Sequence, residues 1–175
     1  MSTKTTAATL LAGALLAAAP ALAGEQISGR ASVLDGNTIE IDGTKLRLDG
    51  IIAPESAQQC GGRSGGDYPC GEEAAYALDL YLSESDPTTC DVVGRDRYDR
   101  SLANCLRSDG SSVNGWMVAM GWAVDWQRGE AGRFTAEQQS AKSRQLGVWQ
   151  GQFSLPCASA ARGEDVALAC PRTAP

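Results

Sequence analysis

The stretch "SVLDGNTIEIDGTKLRLDGIIAPES", residues 32–56, decides how the rest of the chain is read. Its apolar residues alternate with polar ones, and "DGN" and "DGT" supply the glycine-bearing turns that join short strands. With the residues just before it, this pattern predicts strands near 26–34, 37–42 and 44–52, a three-strand meander. The meander runs out at Ala53-Pro54-Glu55, where proline ends the pairing and a carboxylate follows. The polar residues of the stretch are spaced as if to gather around a charged ligand.

Downstream, "CGEEAAYALDLYLSES" puts Ala74, Leu78 and Leu82 on one helical face, with Glu72 and Glu73 in the first turn, where acids suit the helix dipole. "TTCDVVG" and "SLANCLRS" then read as a second strand pair around "RDRYDR", the most basic segment of the chain. "DGSSVNGWMVAMG" predicts a short helix with Val113, Met117 and either Met120 or Trp116 facing a core, and "WAVDW" a short extended piece. "TAEQQSAKSRQLG" is a third helix, with Thr135 as N-cap, Gln138 at capping-box spacing and Gly147 as the stop. Trp116, Trp122, Trp126 and Trp149 fall in apolar stretches and read as packing residues. Five strands, one helix after the third and two more at the end predict an α+β fold: a five-stranded Greek-key β-barrel of the oligonucleotide/oligosaccharide-binding (OB) type with three α-helices.

Upstream, residues 1–23 combine an early Lys4, an alanine- and leucine-rich run and Ala21-Leu22-Ala23, the pattern of a secretory signal cleaved after Ala23. The expected organisation is therefore a signal peptide at 1–23, a domain at 24–155 and a C-terminal surface tail at 156–175. No second apolar span follows, so the mature protein is expected to be periplasmic or secreted, without a membrane span, and monomeric. The six cysteines, Cys60, Cys70, Cys90, Cys105, Cys157 and Cys170, are an even number in a chain that reads as exported, while zinc spacing and histidine are both absent. That favours three disulfides. Six cysteines allow about fifteen pairings; the chain-neighbour set 60–70, 90–105 and 157–170 is the simplest, and its last bridge would pin the tail. Twenty-one acids against fifteen bases give a net charge of −6. Such a chain is repelled from polyanions at long range, so any nucleic acid has to be held by a local basic cluster.

The segments "VLDGNTIEI", "KLRLDGIIAPES", "GRDRYDRSLANC", "VNGWMVAMGWAV" and "EQQSAKSRQLGVW" are similar, in order and spacing, to staphylococcal nuclease and its relatives, the thermonuclease family. The resemblance runs from about residue 26 to residue 153. It implies the barrel with three helices and, in catalytic members, cleavage of DNA and RNA phosphodiesters with one calcium ion. On this resemblance Arg47 and Arg100 correspond to the arginines that hold the scissile phosphate, and Glu55 to the proposed general base for the attacking water. Arg97 and Tyr98 match a basic residue and a tyrosine that contact nucleotide. Asp99 stands where many members have glycine, and aspartate tolerates the left-handed backbone better than most residues.

The calcium positions match less well. One carboxylate of the family falls on Asn37, where "DGNT" replaces "DGDT", and another on Ile52; a threonine whose backbone serves the metal falls on Ala53, and Asp35 remains nearby. Calcium takes about six to eight oxygens, and its affinity follows how many of them carry charge. Asn37 offers at most a neutral amide oxygen and Ile52 none. The expectation is a nuclease homologue that keeps its phosphate-binding arginines and glutamate but is impaired in calcium-dependent catalysis. The alternative is an OB-type module that binds a nucleotide, an oligonucleotide or another anion without cutting. Read without the resemblance, "RDRYDR" alternates sign and Arg95, Asp96, Arg97 and Asp99 look like self-neutralised hairpin decoration.

Overall fold

The computed structural model describes residues 24–96, 98–126 and 132–154. The predicted first strand is two strands, β1 (Gln26–Gly29) and β2 (Ala31–Asp35), separated by Arg30. They are followed by β3 (Thr38–Ile41), β4 (Thr44–Leu48) and β5 (Ile51–Ile52). A two-stranded ribbon, β6 (Cys60–Gly61) with β7 (Asp67–Tyr68), precedes helix α1 (Cys70–Ser83). Strands β8 (Thr88–Arg95) and β9 (Ser101–Leu106), helix α2 (Val113–Ala119), strand β10 (Val124–Asp125), helix α3 (Thr135–Ser143) and a 3-10 turn (Gly147–Gln150) complete the order.

The main sheet runs β1-β8-β9-β4-β3-β2, antiparallel except for β4 beside β9. Its two edge strands are consecutive in sequence, so the sheet curves until its edges meet covalently through Arg30. The break there has a steric cause. A Cβ at Gly29 would lie 2.9 Å from Ile41 Cγ2, so only a residue without a side chain lets the chain bend over the core. The predicted strand 44–52 also divides, because Gly50 takes a φ of +75° that an L side chain rarely adopts. Beyond it, β5 leaves the main sheet and pairs with β10, Ile52 opposite Val124.

Inside the curve lie Ile39, Ile41, Leu46 and Leu48 from β3 and β4, the predicted face Ala74, Leu78 and Leu82 of α1, and Val113, Met117 and Val118 of α2. Each Ile or Leu so buried contributes about 2 kcal/mol of apolar transfer. Met120 stays partly exposed. Trp116 stacks on Tyr81 at 4.0 Å, and Trp126 and Trp149 pack in a second cluster with Ile52 and Val124. Cys90 and Cys105 sit directly opposite each other on β8 and β9 and are bonded, as are Cys60 and Cys70. The signal segment, Cys157 and Cys170 lie outside the described residues.

Helix α3 differs from its prediction at both ends. Its N-cap is Phe134, and no capping box forms. Thr135 instead donates to Asp125 Oδ2 at 3.1 Å, and Gln138 Oε1 accepts from the Asp125 N–H at 2.9 Å. The buried Asp125 draws both side chains away from the helix end. At the far end the helix stops earlier than expected, with Gln145 already left-handed at φ +52°, and Gly147 is left-handed as well at φ +51°.

Candidate anion-binding site

The β2–β3 turn meets the loop after β5 through Asn37 and Ala53, and Arg47 of β4 feels the charges of Asp35, Glu55, Asp96 and Arg100. The β2–β3 turn is held from within, because the Asn37 N–H donates to Asp35 Oδ1 at 2.6 Å. Gly36 at its apex fits where a Cβ would come within 2.9 Å of Ala53 and 3.2 Å of Ala74. That close approach presses the turn onto the loop after β5.

Asn37 is buried, and its carboxamide closes on a single residue. Nδ2 donates to the Ala53 carbonyl at 3.1 Å, and Oδ1 accepts from the Ala53 N–H at 2.6 Å. Two residues further on, Glu55 is exposed, and its N–H donates to Gln58 Oε1 at 3.2 Å. Gly71, at the start of α1, lies so close under the Glu55 carbonyl that no side chain would fit between them.

Arg47 projects from β4, where it pairs with Thr38 on one side and Leu102 on the other. Its guanidinium is half-buried and makes no hydrogen bond or ion pair with any described residue. Burial and the nearby Arg100 lower its pKa, while the charges of Asp35, Glu55 and Asp96 raise it. The structure thus brings Arg47, Arg100, Glu55 and Asp35 into one electrostatic neighbourhood.

Arg100 is positioned by a residue that sequence reading treats as decoration. Asp96 Oδ2 accepts from Arg100 Nε at 2.6 Å and lies 2.6 Å from Nη2. Its other oxygen accepts from the N–H groups of Tyr98, at 2.8 Å, and Arg100, at 3.0 Å. The Asp96 side chain is only 5% exposed. Burial would raise its pKa, but the hydrogen bonds from Arg100 and Tyr98 and the guanidinium charge outweigh burial and hold it below the ordinary carboxylate value. Asp99 has φ +61°, the left-handed backbone anticipated at that position, and pairs with Arg95 at 3.3 Å. Tyr98 is exposed, its ring 5.4 Å from the Arg100 guanidinium carbon. Arg97 lies outside the described residues.

The donors present do not fit the calcium ion that the resemblance implies. Ile52 is buried against Val124, Trp126, Trp149 and Phe153 and offers no oxygen. The Asn37 side-chain oxygen already accepts from the Ala53 N–H, and the Ala53 carbonyl from Asn37 Nδ2. Among the described residues no group of three or more His, Cys, Asp or Glu is arranged to hold a metal.

Sheet and helices are those of an SNase-like α+β domain. The family model described as "Staphylococcal nuclease homologue" matches residues 45–151, and the chain belongs to that family. Similar curated proteins include the succinoglycan biosynthesis protein ExoI of Rhizobium meliloti (strain 1021), 46% identical over 158 residues that cover 90% of this chain and 82% of the relative. An uncharacterized endonuclease of Escherichia coli O157:H7 is 29% identical over 131 residues, 71% of this chain and 77% of the relative. The two disulfides suit an oxidising compartment, and no helix among the described residues is long and apolar enough to cross a membrane.

Proposed function

We propose that the chain is an exported nuclease homologue, periplasmic or secreted after loss of residues 1–23, whose pocket holds a phosphodiester oxyanion but is impaired in calcium-dependent hydrolysis. The supporting observation is the half-buried guanidinium of Arg47, which has no hydrogen-bond or ion-pair partner among the described residues and feels the charge of Arg100, itself held by Asp96. Planar N–H forks of this kind match phosphate oxygens and stabilise charge that develops on them. Glu55 is the one exposed carboxylate on the loop facing that pair, and it can take a proton from water. A bound dication would supply charge neutralisation and a more acidic water; with Asn37 and Ile52 in its carboxylate positions, two arginines and one carboxylate are left to do that work, and turnover is slow.

The decisive assay incubates purified protein with single-stranded DNA and RNA in calcium, against the Arg47→Ala/Arg100→Ala double variant. Cleavage no faster than that control is expected. Metal-dependent cleavage that the double variant abolishes overturns the impairment. The variant Asn37→Asp/Ile52→Asp is expected to gain calcium binding and cleavage together.

A second reading, binding without cutting, is favoured by the name of the 46% identical relative, which refers to polysaccharide synthesis and not to nucleic-acid cleavage. In this reading the same pocket holds a nucleotide, an oligonucleotide or another anion, and salt-sensitive binding without turnover is its signature.

A further inference from the structure

Helix α1 buries one face and leaves part of the opposite one apolar. Ala74, Leu78 and Leu82 point inward, while Tyr76 is 61% and Leu80 51% exposed, four positions apart and so adjacent on the helix surface. On the neighbouring line Ala77 and Tyr81 are half-buried. Tyr81 stacks on Trp116 of α2 at 4.0 Å, and Met120, 37% exposed, caps α2 one turn beyond Trp116. Single apolar side chains on a surface are ordinary, but a group of them carried from one helix to the next marks a contact surface. Tyrosine, tryptophan and methionine are also the side chains in which interface centres are enriched.

The border of this strip is acidic. Glu72, Glu73 and Asp79 lie three or four positions from Tyr76, and Glu84 lies four from Leu80 and three from Tyr81, the spacings at which helical side chains are neighbours. Neither α1 nor α2 contains a lysine or an arginine. The cation close by is Arg107, and it is already engaged: its guanidinium carbon lies 4.4 Å over the Tyr81 ring, with nitrogens 3.2 Å from Asp109 and 3.8 Å from Glu84. Among the described residues no ion pair reaches Glu72, Glu73 or Asp79.

An apolar strip bordered by carboxylates selects its partner by charge. Nucleic acid and anionic lipid are repelled, and a second copy packed about a two-fold axis would set the carboxylates against their own counterparts. A helix with apolar side chains at i and i+4, and lysine or arginine beside them, satisfies both the strip and its border. The net charge of −6 draws such a partner in. We propose that the α1–α2 face docks a basic amphipathic helix of another protein. This role uses no residue of the anion pocket and does not depend on it.

The test is an NMR titration of the isotope-labelled full chain with a synthetic leucine/lysine peptide of about four helical turns, and with its leucine/glutamate counterpart. The leucine/lysine peptide is expected to shift resonances of α1 and α2 and to bind at least about tenfold more tightly than the acidic one. Tyr76→Ser/Leu80→Ser, which alters exposed positions only, should weaken it about tenfold or more. Glu73→Gln/Asp79→Asn should weaken it at least about threefold, with a smaller loss at high salt. Shifts centred away from α1 and α2, equal affinity for the acidic peptide, or a folded Tyr76→Ser/Leu80→Ser protein that binds within about twofold of wild type each overturn the proposal. So do three results that assign the face to another occupant: a dimer in light scattering that the Tyr76→Ser/Leu80→Ser variant dissolves, sedimentation of wild type but not that variant with phosphatidylcholine vesicles, or protection of Tyr76 and Leu80 from a soluble paramagnetic agent in the peptide-free full chain, which would give the face to residues 155–175. None of these outcomes bears on the anion pocket.

Discussion

Arg47 and Asp96 carry opposite balances of solvation and pairing. A half-buried guanidinium without a partner forfeits hydration and gains no hydrogen bond, so Arg47→Gln should raise Tm by about 1–3 °C while removing anion binding. Differential scanning calorimetry checks the first half, and a lower Tm would show that the guanidinium is stabilised in a way the geometry does not reveal. Asp96 lies on the other side of that balance. Removing a carboxylate that accepts charge-assisted bonds from Arg100 and two backbone N–H groups should cost about 2–3 kcal/mol in Asp96→Ala. Its pKa is lower folded than unfolded, so its contribution is fully present above the unfolded value of about 3.9 and is lost as pH falls through the folded one. Denaturant titrations of wild type and Asp96→Asn should therefore differ by a constant amount above about pH 5 and converge below about pH 4. Arg47, Arg100 and Glu55 were singled out in the sequence because each stands at a fixed offset within a recognisable motif. Asp96 was not: in "RDRYDR" two acids alternate with three arginines, and only the fold decides that Asp96 turns inward while Asp99 stays in solvent.

Helix α2 supplies a brace that its own sequence does not advertise. Asn114 is buried; its Oδ1 accepts from the Cys105 N–H at 3.0 Å, and its Nδ2 donates to the carbonyls of Asp49, at 2.9 Å, and Ala103, at 3.1 Å. One side chain thereby ties the ends of β4 and β9 to α2. Asn114→Ala leaves the Cys105 N–H without its partner, while the Ala103 carbonyl keeps the Asp49 N–H and the Asp49 carbonyl keeps Arg133; it should cost about 1–3 kcal/mol, measured by urea unfolding, and no loss would mean that water enters in its place. A polar residue inside a periodic apolar stretch reads as solvent-facing from sequence, and for that reason Asn114 was not anticipated. Sequence spacing did place all three helices, α1 and α2 by their apolar faces and α3 by its cap and stop residues. It failed for the hydrogen bonding of that cap and for the single strand at 26–34, because a buried Asp125 and a close contact at Gly29 are properties of the packed sheet and not of any local window.

At the scale of the whole molecule, acidity limits what the pocket can hold. With a net charge of −6 and, among the described residues, Arg47 and Arg100 as the guanidiniums assigned to phosphate, single-stranded DNA should show a plot of log K against log salt with a slope no steeper than about −1.5. A much steeper slope, measured by fluorescence anisotropy, would reveal a basic track elsewhere on the surface. The loop bearing Glu55 is also secured from far along the chain. Gln58, whose Oε1 meets the Glu55 N–H, passes its Nε2 to the Ser154 carbonyl at 2.7 Å, and the Gly61 N–H reaches the Gln152 carbonyl, also at 2.7 Å. Gln58 and Ser154 are 96 positions apart, and a ribosome delivers them in that order. A nascent chain can therefore lay down its first strands early, yet the acidic arm of the pocket stays unfastened until almost the last of the domain has been synthesised.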